Sequence, residues 1–230
     1  MKFADRAAAG RQLAAKLAQF KDRAPVVLAL PRGGVAVGFE IAQGLGAPLD
    51  IVLVRKIGVP WQPELALGAV TDGASPETFI DEDLAKALDI PEGYVQEETA
   101  RQLDEIERRR QSYCAGRPPL DVTGRTAIIV DDGIATGATM RVALCAVRRR
   151  NPAHLVLAVP VAPPETLAEF RKEADETICL ETPDMLGAIG LYYRDFHQMS
   201  DEEVTDLLAR AAQLTSEAPT SATATAAEAS

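Results

Sequence analysis

The sequence predicts an α/β fold: a doubly wound, mainly parallel central sheet with flanking helices and a small C-terminal hood. Short apolar runs that are typical of buried strands alternate with segments of helical periodicity. Two of these runs end in glycine-containing turns, and the carboxyl edge of a parallel sheet is where such turns can bind ligands. With 230 residues and 47% hydrophobic composition, the chain is long enough for one sizeable core.

The first half of the chain has the pattern of a βαβ unit. An N-terminal amphipathic helix precedes Pro25, and the apolar residues 26–30 predict a buried strand. Residues 31–34, PRGG, form a turn into a predicted helix over residues 35–46, and residues 48–54 predict the next strand. A helix between two such strands predicts that the strands pair in parallel.

The second half continues the alternation. Residues 65–71 and 77–81 predict short strands that could pair antiparallel, and a helix is predicted over about 92–112. The remaining elements are a strand that ends in an acidic pair, a helix and two further strands, over residues 125–132, 137–150, 154–161 and 176–181.

These elements divide the chain into four predicted parts. They are an N-terminal helix, a core, a hood with a C-terminal helix, and a tail, over residues 1–24, 25–182, 183–213 and 214–230. The tail is of low complexity, and we expect it to be disordered.

Composition and charge exclude several classes of protein. The formal net charge of −10 argues against a nucleic-acid partner, which needs clustered Lys and Arg. The three cysteines are widely spaced without a CxxC pattern, so they predict neither a disulfide framework nor a zinc site. The N-terminus lacks the pattern of a signal peptide, and no segment approaches transmembrane length. We therefore expect a soluble cytoplasmic protein with no membrane partner.

Residues 128–139, IIVDDGIATGAT, carry the most specific pattern in the chain. The apolar strand ends at Asp131, so Asp131 and Asp132 are expected at the carboxyl edge of the sheet. The following residues combine glycines, hydroxyl groups and the start of a helix, which predicts a phosphate-binding cup of Gly133, Ile134, Ala135, Thr136, Gly137, Ala138 and Thr139. Ala138 stands where a Walker A loop requires Lys, which argues against a nucleotide triphosphatase.

The acidic pair needs a ligand of its own, because two carboxylates beside an anion would repel it. A ribose 5-phosphate meets this need, since its hydroxyls can donate to Asp131 and Asp132 while its phosphate lies in the cup. The run resembles the signature of the type I phosphoribosyltransferases: an apolar strand, two acidic residues and a Gly/Thr-rich phosphate loop. The alternative is a strand, a turn and an Asp- and Thr-rich helix cap without a ligand.

The resemblance implies a second anion-binding turn after the first strand, and PRGG stands at that place. Arg32 can donate to phosphate oxygens, while Gly33 and Gly34 let backbone amides approach a ligand closely. In the family this turn often holds a non-proline cis peptide bond. Lys56, which follows the second predicted strand, completes the expected pyrophosphate site. The alternatives are an ordinary strand-to-helix turn and a solvated lysine.

Two further features follow from the resemblance. The family has a long loop that closes over the cleft, and we expect it here from Ser112 to Val122. The three arginines at 108–110 approach its start, and we interpret each as part of a solvated helix face. Glu64 lies in a Pro-Glu-x-Ala run of the kind found in a branch of uncharacterised phosphoribosyltransferase-like proteins, and we expect a structural role for it.

Family members bind their acceptor base against a variable hood, and residues 190–198, GLYYRDFHQ, are the candidate for it here. Tyr193 and Phe196 could stack on a planar base while Asp195 accepts from its edge. The segment has no lysine at the place where the hypoxanthine-guanine enzymes contact the purine, so purine specificity does not carry over. An aromatic cluster that closes the core of the small lobe is an equal alternative.

Taken together, the resemblance implies a Mg²⁺-dependent phosphoribosyltransferase, a pentosyl-transferring glycosyltransferase of nucleotide metabolism. It would move phosphoribosyl from 5-phosphoribosyl-1-diphosphate to a small nitrogenous acceptor and release pyrophosphate. Lys56, Asp131 and Asp132 are the expected catalytic residues, and both aspartates would meet the metal indirectly, through ligand or water. A noncatalytic sensor of nucleotide or phosphoribosyl diphosphate is the alternative. The sequence leaves the oligomeric state open, with a homodimer as one option, since dimers are the common homo-oligomer and this fold often forms them.

Overall fold

The computed structural model describes residues 2–72 and 76–216. Its strands are β1 (Pro25–Ala29), β2 (Leu49–Ile51), β3 (Val54–Val59), β4 (Gln62–Thr71), β5 (Thr78–Ile80), β6 (Thr126–Val130), β7 (His154–Val161) and β8 (Glu176–Glu181). Its α-helices are α1 (Arg6–Leu17), α2 (Gly33–Leu45), α3 (Glu82–Ala87), α4 (Glu92–Cys114), α5 (Ala138–Arg149), α6 (Pro164–Phe170) and α7 (Asp201–Ser216).

The main layer is a five-stranded sheet in the order β2-β1-β6-β7-β8. Every neighbouring pair of these strands is parallel. Side chains alternate between two apolar layers: Val27 and Ala29 pack on the face that carries α1, α2 and α7, while Val26 and Leu28 pack on the face of α5 and α6. The predicted fold class, an α/β fold with a central parallel sheet, is confirmed.

The strand order reverses between β1 and β6, because the chain leaves β1 for β2 on one side and later returns to β6 on the other. Open α/β sheets bind ligands in the crevice at such a point, outside the carboxyl ends of the strands. Ala29 pairs with Val130 at these ends, and the next residue, Leu30, donates its N–H to the carbonyl of Val130 at 2.9 Å. The segments that follow β1 and β6 therefore start side by side.

Strands β3, β4 and β5 form a separate three-stranded antiparallel sheet, with α4 packed against it. The prediction of one strand over residues 48–54 is wrong, because β2 ends at Ile51 and the chain pairs again only from Val54. Asp72 fixes the break between the two strands. Its carboxylate accepts the N–H of Leu53 at 2.9 Å, and its own N–H donates to the carbonyl of Leu53 at 3.0 Å. The antiparallel pairing of the short strands is as predicted.

The N-terminal residues lie against the segment that precedes α7. Phe3 donates its N–H to the carbonyl of Tyr192 at 2.7 Å and accepts the N–H of Arg194 at 2.9 Å. Helix α7 continues to Ser216, so the first three residues of the predicted tail, 214–216, are helical, and the rest of the tail lies outside the described residues. In the described part of the chain, no helix is both long and apolar enough to cross a membrane.

Candidate functional site at the carboxyl ends of β1 and β6

The acidic pair lies directly after β6 and is partly exposed. Asp131 accepts the backbone N–H of Asp132 at 2.8 Å. Oδ2 of Asp132 accepts a charge-assisted hydrogen bond from Nε of Arg6 at 2.7 Å. The pair is thus held asymmetrically, because the arginine contacts Asp132 while Asp131 is fixed by the backbone.

The electrostatic setting of the pair favours a ligand that donates hydrogen bonds. Burial and the neighbouring charge of Asp132 raise the pKa of Asp131 well above its usual value. Burial also raises the pKa of Asp132, although Arg6 acts in the opposite direction. Within residues 2–72 and 76–216, Arg6 is the one positively charged side chain that forms an ion pair with either of these two acids. Ionised carboxylates in this position therefore gain free energy from hydroxyl donors or a cation.

The PRGG turn lies against the acidic pair. A Cβ atom on Gly33 would stand 1.9 Å from Oδ2 of Asp132, and one on Gly34 would stand 2.8 Å from the carbonyl oxygen of Val130. Glycine is therefore required here by the close approach of the two segments. The Pro31–Arg32 peptide bond is cis, as the resemblance implies.

The arginine of this turn points toward the start of α7. The side chain of Arg32 is 38% exposed, and its Nη1 lies 3.7 Å from Oδ1 of Asp201. An exposed arginine with one long ionic contact can still reorient toward an anion, because such a contact contributes little free energy.

The predicted cup encloses a small cavity of about 160 Å³, lined by Asp131 and residues 133–140. Gly137 caps α5 with a left-handed φ of +79°, and a Cβ there would also stand 2.6 Å from the ring of Phe170. The first turn of α5 leaves backbone N–H groups without partners inside the helix, next to exposed Thr136 and Thr139. These donors and the helix dipole suit a phosphate group.

Lys56 lies within β3, where it pairs with Ala69 of β4, and not at the carboxyl end of a strand of the main sheet. This corrects its predicted placement. Its ammonium group donates to the carbonyl and to Oε2 of Glu64, each at 3.1 Å. Lys56 also lines a cavity of about 470 Å³ together with Ala138 and Thr139, so the small sheet brings the lysine beside the predicted cup.

Comparison with known proteins identifies the family. The profile of the phosphoribosyl transferase domain matches residues 79–197. The chain belongs to this family. Two curated proteins of Mycobacterium tuberculosis, from strains CDC 1551 and H37Rv and each named "Putative phosphoribosyl transferase", are 47% identical to it over 209 residues. The match covers 91% of this chain and 47% of each relative, so the chain spans about half the length of the curated relatives that it matches.

A solved structure shows the same fold. The crystal structure of the protein TT1426 from Thermus thermophilus is 43% identical in sequence and superposes with a TM-score of 0.79. The similarity covers 91% of this chain and 99% of that chain. The two chains therefore share an α/β fold, the class that the sequence predicts.

The aromatic residues predicted to bind the acceptor are packed together in this phosphoribosyl transferase domain. Tyr193 is 5% exposed. Its ring stacks on that of Phe196, with the ring centroids 4.9 Å apart, and its centroid lies 5.3 Å from that of the Phe3 ring. Its hydroxyl donates to the backbone carbonyl of Asp132 at 2.6 Å. Asp195 is exposed and accepts the backbone N–H of His197 at 3.1 Å. The aromatic cluster of the predicted alternative is thus present, and it also supports the acidic pair directly.

The arginines of α4 do not all lie on a solvated face. Arg108 and Arg109 pair with Glu105, as that interpretation requires. For Arg110 the interpretation is wrong, because its side chain is 8% exposed and binds the carboxylates of Asp50 at 2.8 Å and Asp72 at 2.7 Å. This buried cluster joins α4, β2 and the end of β4.

The segment predicted to close over the cleft lies elsewhere. Helix α4 continues to Cys114, and the chain then runs beside β2, where the N–H of Leu120 donates to Asp50 at 2.8 Å and the carbonyl of Leu120 accepts from Arg150. It then enters the amino end of β6, whereas the acidic pair follows the carboxyl end of that strand. The predicted loop from Ser112 to Val122 is therefore wrong. Glu64, expected to be structural, has a side chain that is 95% exposed and contributes no core packing.

Sequence reasoning missed Arg6, which lies 126 residues from its partner Asp132. Asp5 precedes it and caps α1 by accepting the N–H of Ala8 at 2.7 Å, so the local pattern DRAAAG indicates only a helix start. No local signal distinguishes an arginine that turns inward at this position from one that faces solvent. The burial of its side chain is a product of the tertiary fold.

Proposed function

We propose that this domain transfers the 5-phosphoribosyl group from 5-phosphoribosyl-1-diphosphate to a nitrogenous base, with release of pyrophosphate. The observation that carries the proposal is the meeting of the PRGG turn, the acidic pair and the phosphate cup at the switch point between β1 and β6. A donor with a phosphate at one end and a diphosphate at the other needs two anion sites on either side of a ribose site, and this arrangement supplies them in that order.

In the proposed complex, the backbone N–H groups of the first turn of α5, with Thr136 and Thr139, bind the 5-phosphate. Asp131 and Asp132 accept hydrogen bonds from the ribose hydroxyls. Arg32 and the amides of Gly33 and Gly34 bind the diphosphate. Lys56, which lines a cavity with Ala138 and Thr139 of the cup, adds positive charge beside the 5-phosphate.

The reaction breaks the bond between C1 of the ribose and the diphosphate oxygen, which leaves with the bonding electrons. A bond then forms between C1 and a nitrogen of the base, and the proton that this nitrogen carried passes to the departing pyrophosphate or to water. The carboxylates of Asp131 and Asp132 stabilise the positive charge that develops on the sugar ring, because they are fixed before the reaction begins. Positioning and electrostatics thus carry the chemistry.

The donor set near the ribose fits Mg²⁺ held through substrate and water. This cation takes oxygen ligands, keeps several waters and is usually bound by one or two carboxylates with substrate phosphates. Asp131 and Asp132 supply such carboxylates, and no group of three or more His, Cys, Asp or Glu residues is arranged for a metal ion within residues 2–72 and 76–216. When bound, the ion would neutralise charge on the diphosphate leaving group.

The test is an assay of turnover with Mg²⁺, the diphosphate donor and a panel of purine and pyrimidine bases, in which pyrophosphate release and nucleotide formation are followed together. We expect both products in equal amounts with at least one base. Pyrophosphate release that does not depend on any base would indicate a hydrolase. Binding of donor or nucleotide without turnover would contradict the transferase and favour the sensor.

A further inference from the structure

We infer that Arg6 is a positioning residue for the donor, one that fixes the carboxylate of Asp132 in the orientation that receives the ribose. This role rests on the proposed function, because it assumes that Asp132 binds a ribose hydroxyl. Arg6 belongs to α1, outside the two segments that carry the recognised motifs. The N-terminal helix would thus be a part of the site and not only a cover for the sheet.

The guanidinium group of Arg6 has three contacts in different directions. Its Nε donates to Oδ2 of Asp132 at 2.7 Å, and its Nη1 donates to the backbone carbonyl of His197 at 2.9 Å. Its Cζ lies 3.8 Å from the centroid of the Phe196 ring. The side chain is 10% exposed. The guanidinium group is planar, and its Nε, its Nη1 and its face each have a separate partner. It therefore cannot rotate without losing at least one of these contacts.

The surroundings of Arg6 are themselves fixed by long-range contacts. The backbone of residues 3 and 4 pairs with residues 192–195, through Phe3 with Tyr192 and Arg194 and through Ala4 with Asp195. Phe196 stacks on Tyr193, whose hydroxyl binds the backbone of Asp132. Asp132 is therefore fixed by two hydrogen bonds. Tyr193 donates to its backbone carbonyl, and Arg6 donates to its side chain.

The other side of the Asp132 carboxylate is limited by the PRGG turn. A Cβ on Gly33 would stand 1.9 Å from the same Oδ2 and 3.0 Å from Nε of Arg6. The carboxylate thus lies between the guanidinium group and the glycine backbone. Since a displacement of about 1 Å at a reacting centre can cost about 100-fold in rate, the confinement that Arg6 provides is large enough to matter for the reaction.

The experiment measures the affinity of the full chain for ribose 5-phosphate by calorimetric titration, without a turnover step. We expect Arg6→Gln to weaken binding by about 10- to 100-fold, the range for the loss of a charge-assisted hydrogen bond. Arg6→Lys keeps the positive charge but loses the planar set of guanidinium donors. Its affinity should lie between that of Arg6→Gln and that of the wild type. Arg11→Gln is the matched control, because Arg11 lies on the same helix and its side chain is 60% exposed, although it pairs with Glu40. The affinity of this variant should stay within about twofold of the wild type.

A double-mutant cycle separates positioning from general support of the fold. In the Asp132→Asn background, Arg6→Gln should change the affinity by less than about threefold, because the group through which Arg6 acts has been altered. A full additive loss in this background would overturn the inference. Wild-type affinity in folded Arg6→Gln, or in Arg6→Lys if the glutamine variant does not fold, would overturn it as well. If the wild type itself fails to bind ribose 5-phosphate, the proposed function fails, and the role of Arg6 fails with it.

Discussion

Two clusters in this molecule have the same composition, two aspartates and one arginine, but differ in how the charges are arranged. In the first, Arg110 binds both Asp50 and Asp72, and the three side chains are 8%, 8% and 4% exposed. In the second, Arg6 binds Asp132, while Asp131 accepts a backbone N–H and both acids stay partly exposed. The first cluster will be called the closed cluster and the second the open cluster.

The difference separates a structural role from a binding role. In the closed cluster, further backbone N–H groups of Ile51, Leu53 and Leu120 bind the carboxylates, so their lone pairs are used within the protein. The open cluster lies beside the PRGG turn and the cup, the two segments proposed to bind anions, and has acceptor capacity left for a ligand. Carboxylates whose partners are supplied by the fold fix elements of the structure relative to one another. Those that keep unused acceptors can contribute binding.

Removal of the arginine from the closed cluster should have the largest effect on stability. Arg110→Leu leaves two buried carboxylates without a counter-charge, and we expect the free energy of unfolding to fall by about 3–5 kcal/mol. Urea denaturation measures this change. Arg109→Leu, which removes a half-exposed pair on the same helix, should cost less, about 1 kcal/mol. Equal losses in the two variants would show that the closed cluster has no special structural role.

A methyl group at Gly33 should damage the open cluster selectively. Its Cβ would collide with Asp132, so the carboxylate must move, and we expect Gly33→Ala to lower turnover by about 100-fold. Steady-state kinetics with the diphosphate donor measure the loss. Gly93→Ala in α4 is the control, because its Cβ would meet open space. Normal turnover in Gly33→Ala would mean that the position of Asp132 is not critical.

The closed cluster should give stability a pH dependence. Burial raises the pKa of Asp72 to about 6, although Arg110 acts in the opposite direction. A carboxyl group with a pKa of about 3.9 when unfolded then binds more protons in the folded state, so stability decreases as the pH rises through this window. We expect a decrease of about 1–3 kcal/mol between about pH 4 and about pH 6.

The measurement is urea denaturation across this pH range in the wild type and in Asp72→Asn. Asp72→Asn should lack the pH-dependent contribution of this carboxyl group to stability. The difference in the free energy of unfolding between the wild type and the variant should therefore change with pH. A difference that is constant over the range would show that Asp72 titrates normally.

Substitution of Lys56 should have the smallest effect of these changes, and it should alter ligand affinity but not stability. Its ion pair with Glu64 is exposed, so Lys56→Met should change the free energy of unfolding by less than about 0.5 kcal/mol. Affinity for ribose 5-phosphate should fall by about threefold to tenfold, because one cation beside the cup is lost. Lys86→Met, in the exposed helix α3, removes the same charge from the same lobe and should leave the affinity unchanged.

The contrast between the clusters also explains what could be predicted from the sequence. The strands, the acidic pair and the cup follow from one contiguous run, because the end of an apolar strand, the glycines and the start of a helix are local features. Residues 154–161 and 176–181 form strands with the predicted bounds, since both are short apolar runs between clear turns.

The remaining features depend on contacts between distant residues. Arg6 and Arg110 each lie on a helix whose sequence gives no sign of which arginine turns inward. The break after Ile51 depends on Asp72, which lies on another strand end and binds Leu53. Tyr193 lies in an aromatic segment. A segment that stacks on a base and one that packs in the core have the same sequence pattern, so the sequence alone does not decide between these roles. The carboxylates that decide the positions of Arg6, Arg110 and Leu53 lie at least 19 residues away in sequence.

The central claim, that the open cluster is the ribose-phosphate site, is tested most directly by calorimetric titration of ribose 5-phosphate into four proteins: the wild type, Asp131→Asn, Asp132→Asn and Asp50→Asn. We predict that both substitutions in the open cluster weaken binding by about 30-fold or more. Asp50→Asn should bind like the wild type while its stability to urea is lower. Unchanged affinity in Asp131→Asn and Asp132→Asn would contradict the account.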